Sequence, residues 1–329
     1  MPQQQAILVT GGSGFLGSYC VKLLLERGYH VHTTVRNPNN EKKVAHLKAL
    51  PGATERLTIF QAELLQEGAF DAAIDGCSVV LHTASPFFLQ NQTPETLVEP
   101  AVQGTLNVLR SVSRAPHVRR VVLTSSTVSI YVHCGTKPES HVFNEDDWSN
   151  EDLMRKNNLW YAVSKTVAER EAWSFVEKLA APHFDLVTMC PTWILGPMLQ
   201  PELNQSSQKI FDYMTDVTKE IPLAVKTMVD VRDVALAHIV AFENPNASGR
   251  YMLVGAGPTE KEICEAIVAV SPTATVPTTV APGADPVPLL YDCKKAEKEL
   301  GIRFIPLTDM VAETCASLIQ HGFVKQNTP

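Results

Sequence analysis

A tyrosine and a lysine stand four residues apart in Tyr161-Ala-Val-Ser-Lys165. On a helix that spacing puts both side chains on one face, so both can serve one site. The pair suits proton transfer to a carbonyl oxygen. A phenol with a reference pKa of about 10 is a poor acid–base group at neutral pH, and a neighbouring ammonium draws it toward the working range. A third group stands upstream, where the apolar Val121-Val122-Leu123 runs into Thr124-Ser125-Ser126-Thr127. A serine hydroxyl at the carboxyl end of such a strand can hold a carbonyl oxygen while hydride reaches its carbon. Taken singly, each signal has a plainer reading. The Tyr/Lys pair also reads as a surface helical pair, and the serines as a polar strand end.

A hydride needs a donor, and the chain opens with a place to hold one. Thr10-Gly11-Gly12-Ser13-Gly14-Phe15-Leu16-Gly17 follows a strand-like run and enters a helical one. Gly11 allows a tight turn, Gly14 lets a pyrophosphate approach the backbone, and Gly17 lets helix and strand pack closely. Ser13, Phe15 and Leu16 belong to the same turn, where backbone N–H groups and the positive end of the helix dipole meet the phosphates. The end of the second strand chooses the dinucleotide. NAD sites place a carboxylate there for the ribose 2′-hydroxyl. Here Val35-Arg36-Asn37 has none, and Lys43 follows seven residues on. Arg36 offers a fork and Lys43 a second charge to a 2′-phosphate, so NADPH is expected over NADH. A solvated charge run at a helix start is the plainer alternative.

The elements that must carry these groups alternate. Ala6–Thr10, Val31–Val35, Leu57–Phe60, Ser78–Thr83, Val121–Thr124 and Phe184–Cys190 read as strands, the last ended by Pro191. Gly17–Arg27, 41–50, 95–114 and 158–180 read as helices. Strands separated by helices imply right-handed crossovers and a parallel sheet. Their continuous apolar character fits a sheet covered on both faces. Beyond Pro191 the regularity falls. Five prolines in 272–288 suggest an extended loop, and helices are expected near 292–300 and 307–320. The expected fold is α/β: a Rossmann-type doubly wound parallel sheet with a smaller, mostly C-terminal substrate-binding region. The division expected is 1–190 for the NADP-binding domain, with 226–250 returning to it, and 191–225 with 251–329 for the substrate.

Bulk properties narrow the partners. A net charge of −7 on 329 residues gives no global attraction for nucleic acid or anionic lipid. No apolar run approaches the roughly 18 residues of a membrane span. Met1–Gln5 carries no secretory pattern and the C-terminal Gln-Asn-Thr-Pro no lipidation box, so a cytoplasmic protein is expected. Seven scattered cysteines without a CxxC pair point to buried, reduced thiols, a cysteine nucleophile being the lesser alternative, and ten histidines without ligand spacing to no metal site. His82 reads as strand-end packing.

Together these motifs resemble the extended short-chain dehydrogenase/reductase family, in its dihydroflavonol-reductase-like branch. The likeness runs over nearly the whole chain: Val9-Thr-Gly-Gly-Ser-Gly-Phe-Leu-Gly17, Val35-Arg36-Asn-Pro, Lys42-Lys43-Val, Thr83-Ala-Ser-Pro86, Thr124-Ser-Ser126 and Trp160-Tyr-Ala-Val-Ser-Lys-Thr-Val-Ala-Glu169. Cys190-Pro-Thr192, Gly196-Pro197, Val231-Arg-Asp-Val-Ala-Leu-Ala-His238 and Glu299-Leu-Gly301 continue it.

The resemblance implies a catalytic triad of Ser126, Tyr161 and Lys165, Ser126 being preferred to Ser125 by its distance from Tyr161. It implies Arg36 and Lys43 as 2′-phosphate ligands. Glu63 and Leu64 match the adenine side, with Glu in place of Asp. Thr83, Ala84 and Ser85 match the strand end beside the cofactor, and Pro191 and Ser206 later contacts.

Two departures bear on substrate. Cinnamoyl-CoA reductases carry Asn-Trp-Tyr-Cys-Tyr-Gly-Lys, where this chain has Asn158-Leu-Trp-Tyr-Ala-Val-Ser-Lys165. That argues against a CoA thioester. Flavonoid reductases place an amide near the position of Tyr131, which argues against a dihydroflavonol. The run Ser125-Ser-Thr-Val-Ser129 looks more like microbial aldehyde and ketone reductases. The expected activity is NADPH-dependent reduction of an aldehyde or ketone to an alcohol by a monomer or homodimer, with Tyr161 as proton donor. Trp193, Met198, Phe211 and Met214 are candidates to line the substrate side or to be ordinary core. Two alternatives stand: a nucleotide-sugar epimerase or dehydratase with tightly held NAD, which Arg36 argues against, and a non-catalytic NADP sensor, which would not need Ser126, Tyr161 and Lys165.

Overall fold

A computed structural model describes residues 6–86 and 92–325; Met1–Gln5 and Gln326–Pro329, read above for targeting signals, lie outside them. Short apolar runs form the strands β1 (Ala6–Thr10), β2 (Val31–Val35), β3 (Leu57–Gln61), β4 (Cys77–His82), β5 (Arg120–Thr124), β6 (Asp185–Pro191), β7 (Trp193–Leu195), β8 (Met228–Asp230) and β9 (Gly249–Leu253). Seven of them make one sheet in the order β3-β2-β1-β4-β5-β6-β9, and every neighbouring pair is parallel. β7 and β8 pair separately. The helices are α1 (Phe15–Glu26), α2 (Glu41–Lys48), α3 (Ala53–Arg56), α4 (Asp71–Ile74), α5 (Glu99–Ser113), α6 (Glu151–Lys156), α7 (Trp160–Glu177), α8 (Gln205–Met214), α9 (Val231–Glu243), α10 (Glu260–Val270), α11 (Lys294–Leu300) and α12 (Leu307–Gln320).

Alternation along β1 divides the core. Ile7 and Val9 face one way, into a cluster with Val21, Leu24, Val234 and Ile239 from α1 and α9. Ala6 and Leu8 face the other, against Val108, Leu109 and Val112 of α5 and Ala172 of α7. Both faces being covered is why these strands are apolar at every position. A third cluster gathers Leu195, Tyr213, Ile263, Ile267, Met310 and Leu318 from β7, α8, α10 and α12.

The structure departs from the sequence reading in identifiable places. The stretch read as one helix from 95 begins as a wide π-helical turn, Pro94–Val98, capped by Thr93, before α5. Pro100 has no N–H to give an i−4 carbonyl, so a regular α-helix cannot run through it unchanged. Pro191 does not lie just beyond β6 but is its last residue, in register with Leu253. β7–β9 and helices α8–α10 occupy the region past Pro191, where the sequence pattern is less regular. β9 carries the sheet across the expected 250/251 boundary. Of the seven cysteines, six are buried and Cys134 is exposed. No helix among the described residues is long and apolar enough to cross a membrane, and none of their His, Cys, Asp and Glu form a cluster that would hold a metal.

Candidate active site

Between β1 and β4 the strand order reverses direction, and a crevice opens at their carboxyl ends. Its two lips are stitched together. Thr10 Oγ1 lies 2.8 Å from His82 Nδ1 and accepts from the Ala84 N–H at 3.1 Å. Thr83 Oγ1 donates to the Thr10 carbonyl at 2.6 Å. Burial, aided by the Lys165 charge, pushes His82 down to about 3, so its imidazole is neutral and shares a single proton with Thr10 Oγ1 across this hydrogen bond. Thr83, Ala84 and Ser85 are thereby fixed beside the glycine turn.

The turn itself leaves the strand through Gly11 and Gly12, whose N–H groups both donate to the Thr34 carbonyl. Gly14 caps α1 in extended conformation. A Cβ at Gly17 would stand 2.4 Å from the Gly11 carbonyl oxygen, so helix and turn touch backbone to backbone. A Cβ at Gly14 would meet only that same oxygen at 3.3 Å and otherwise open space. The open side of Gly14, at the amino end of a twelve-residue helix, is where a pyrophosphate fits: the first-turn N–H groups of α1 have no intrahelical acceptor. Ser13, Phe15 and Leu16 lie along this edge.

Farther along the sheet edge, Arg36 is exposed just past β2 and Lys43 sits in the first turn of α2. The Lys43 ammonium is paired with Glu202, from the loop before α8. Glu63 is exposed. Leu64 packs on α5, where a Cβ at Gly104 would strike it at 2.4 Å, and its carbonyl accepts from Asn107 at 3.0 Å. Pro191 is buried at the β6 end, and Ser206 is half-buried in the first turn of α8.

Ser126, Tyr161 and Lys165 converge at the end of β5. Ser126 caps a single 3₁₀ turn, Thr127–Ser129, and its Oγ accepts from the Val128 N–H at 3.4 Å. Burial pushes the Tyr161 phenol up to about 12, hydrogen bonding with Ser126 pulls it back, and Tyr131 adds to the rise. Burial lowers Lys165 to about 8, against the pull of Glu169. Its ammonium donates to the Thr124 carbonyl at 3.3 Å. Tyr161 is therefore a neutral phenol at pH 7, hydrogen-bonded to Ser126, with a charged lysine one turn farther along the same helix. Such a group can give a proton to an oxygen placed between it and Ser126.

Of the four substrate-side candidates, Met198 and Met214 are buried core, and Trp193 and Phe211 are half-buried against the same cluster. Sequence reasoning missed Glu169 and Arg250, which pair behind the site. Glu169 had a signal, since it follows Lys165 at the same four-residue spacing. Arg250, far off in sequence, had none.

A doubly wound parallel sheet, a glycine turn at its switch point and a Tyr-xxx-Lys helix beside a strand-end serine define a dinucleotide-dependent enzyme class. Residues 7–255 match the family described as the NAD dependent epimerase/dehydratase family, and the chain belongs to it, within the dihydroflavonol-reductase-like branch of the extended short-chain dehydrogenases/reductases. It is 42% identical to a cinnamoyl-CoA reductase of Medicago truncatula over 96% of each chain. Vestitone reductase from alfalfa superposes with a TM-score of 0.82 at 32% identity, covering 97% of this chain and 100% of that one. The yeast methylglyoxal/isovaleraldehyde reductase, in complex with NADPH, gives 0.87 at 27% identity over 97% and 99%. All three are reductases.

Proposed function

We propose that this chain reduces a carbonyl to an alcohol with NADPH, Tyr161 delivering the proton to the oxygen. The observation that carries the reading is the hydrogen bonding of a neutral Tyr161 to Ser126, with Lys165 one helical turn on. When bound, a reduced nicotinamide supplies the hydride. Ser126 and Tyr161 fix the carbonyl oxygen from two sides, and Tyr161 yields its proton as negative charge develops there. Lys165 stabilises the phenolate left behind. The glycine turn and the amino end of α1 hold the diphosphate. Arg36, at a β2 end whose Val35-Arg36-Asn37 holds no carboxylate, receives the 2′-phosphate. Support for NADPH comes from Arg36 and from the yeast reductase solved with it.

The substrate is an aldehyde or ketone in this reading. A second reading, a CoA thioester, is favoured by the 42% identical cinnamoyl-CoA reductase and disfavoured by Ala162-Val163-Ser164 between the tyrosine and lysine. One experiment tests both. NADPH oxidation is followed with aldehydes, α-dicarbonyls, aryl ketones, dihydroflavonols and cinnamoyl-CoA, using wild type and Tyr161→Phe, with NADH as control. Turnover that requires NADPH and falls at least about a hundredfold in the variant supports the proposal, and the panel assigns the substrate. Turnover equal in wild type and variant rejects Tyr161 as donor. Stoichiometric NAD carried through purification, without carbonyl reduction, rejects the reductase in favour of an epimerase or dehydratase.

A further inference from the structure

We propose that Glu169 is a positioning residue of this site, fixing both the turn that carries Ser126 and the charge state of Lys165 from behind the catalytic helix. The inference rests on the reading of Ser126, Tyr161 and Lys165 just given. Tyr161, Lys165 and Glu169 recur every four residues on α7 and share its inner face. Glu169 is 1% exposed. Its carboxylate accepts from Ser125 and Ser129 of the Ser126 turn, the latter at 2.7 Å, and from Thr188 of β6 at 2.9 Å. Arg250 of β9 donates to it through Nε at 2.7 Å and Nη2 at 3.3 Å.

Arg250 is itself fully committed. Its Nη1 donates to the carbonyls of Glu145 and Asp147 at 2.8 and 2.6 Å, its Nη2 to Ser129 Oγ at 2.9 Å, and its guanidinium lies 3.8 Å over the Trp148 ring. A buried ion pair is a poor way to gain stability, since apolar residues of equal volume fill such a space at least as well. What a carboxylate here supplies and an apolar group would not is a set of fixed acceptors and one negative charge.

The acceptors bear on Ser126. Ser125 and Ser129 bracket it, and Ser129 Oγ lies 2.7 Å from the Ser126 carbonyl oxygen as well as from Glu169. The residues on either side of Ser126 are thus tied to Glu169 through their hydroxyls, with Ser129 Oγ also within reach of the Ser126 carbonyl. The charge bears on Lys165. A cavity of only about 10 Å³ lies between the two, lined also by Ser85, Thr105, Thr124 and Ser125. The groups facing Lys165 are Tyr161 and Glu169 on α7, His82 on β4 and Cys190 on β6, with Arg250 of β9 behind Glu169. His82 is neutral, and burial pushes the Tyr161 phenol and Cys190 thiol up to about 12. Glu169, whose carboxyl Arg250 and the hydroxyls keep below its usual value despite burial, is the one anion in that set at pH 7.

The test reads Lys165 directly in protein without cofactor. Lysine labelled with ¹³C at the ε carbon is titrated by NMR, Lys165→Met identifying the resonance, in wild type, Glu169→Gln, Glu169→Asp and the charge-neutral pair Glu169→Gln/Arg250→Gln. The last variant leaves no lone buried charge and keeps the test readable if Glu169→Gln does not fold. Lys165 is expected to titrate about one unit lower in Glu169→Gln, lower by less in the double variant, which also removes the Arg250 charge, and near wild type in Glu169→Asp. In parallel, kcat should fall about tenfold or more, its alkaline limb moving to lower pH, with the Kd for NADPH unchanged. A folded Gln variant whose Lys165 titrates as in wild type overturns the inference. Because the NMR reading needs no turnover, absence of reductase activity in the wild type would reject the proposed function separately.

Discussion

The ammonium of Lys43 on α2 is paired with the carboxylate of Glu202, joining the outer edge of the nucleotide-binding half to the loop before α8. Both side chains are well exposed, at 40% and 59%, so the pair contributes little stability. Its consequence is for binding. A 2′-phosphate beside Arg36 competes with Glu202 for the same ammonium. Glu202→Gln is therefore expected to tighten NADPH about twofold to fivefold and leave NADH unchanged. Fluorescence titration of both cofactors at low salt measures this, and equal tightening of both would show that Lys43 does not discriminate.

Arg36 carries the larger share of that choice, since it stands at the strand end without a carboxylate. Losing a charge-assisted fork costs about 1.5–3 kcal/mol. Arg36→Gln should raise the NADPH Kd about tenfold to a hundredfold while sparing NADH. An equal loss for both cofactors would place Arg36 on the adenine or the diphosphate instead.

How far the sequence reached can be judged from particular residues. The glycine turn, the Tyr/Lys pair and the six leading strands depend on local order and fixed spacing, so pattern alone locates them. Glu169 lies on that same pattern, yet its partners Ser129, Thr188 and Arg250 come from three other elements that only the folded sheet brings together. The Lys43–Glu202 pair is out of reach because its two members lie far apart in sequence. The region after Pro191 is less legible because its prolines mark turns between short elements: α8, α10, β7 and β8 each lack a long period. Pro191 ends β6 as a member of the strand, since at its last position the missing N–H costs no ladder bond.

Two buried histidines make acid stability predictable. His82 and His238 are held by burial near 3 and near 4. His238 donates from Nδ1 to the Val234 carbonyl at 2.7 Å and faces Thr124 Oγ1 with Nε2 at 2.7 Å. Their folded values lie below the unfolded reference of about 6.5. The unfolded chain thus binds the protons first, and stability present above pH 6.5 is lost as pH falls toward the folded values. Between pH 7 and 5 each should remove about 2 kcal/mol. Asp233, raised to about 6 by burial, acts in the opposite sense, gaining stability as its carboxyl protonates. Urea unfolding of wild type and His238→Gln at both pH values isolates the histidine term. A variant with the same pH dependence as wild type would mean that His238 is already charged in the folded protein.

Gly14 and Gly17 are three residues apart in one turn and should fail in different ways. At Gly17 an added methyl meets backbone, the Gly11 carbonyl oxygen at 2.4 Å and the Gly12 Cα at 2.9 Å, which cannot move without opening the turn. Gly17→Ala is therefore expected to lower Tm and weaken the cofactor together. Gly14 has ordinary backbone angles, φ −82° and ψ 172°, and only one neighbour within reach at 3.3 Å. Alanine there asks the Gly11 carbonyl oxygen to give by only a few tenths of an ångström and reduces the freedom of the unfolded chain, but its methyl enters the space beside the helix terminus. Gly14→Ala should keep Tm within about 2 °C of wild type and weaken NADPH and NADH alike, about tenfold or more. Differential scanning fluorimetry with and without cofactor separates the two. A Gly14→Ala protein that keeps both its melting point and its cofactor affinity would move the diphosphate away from this turn.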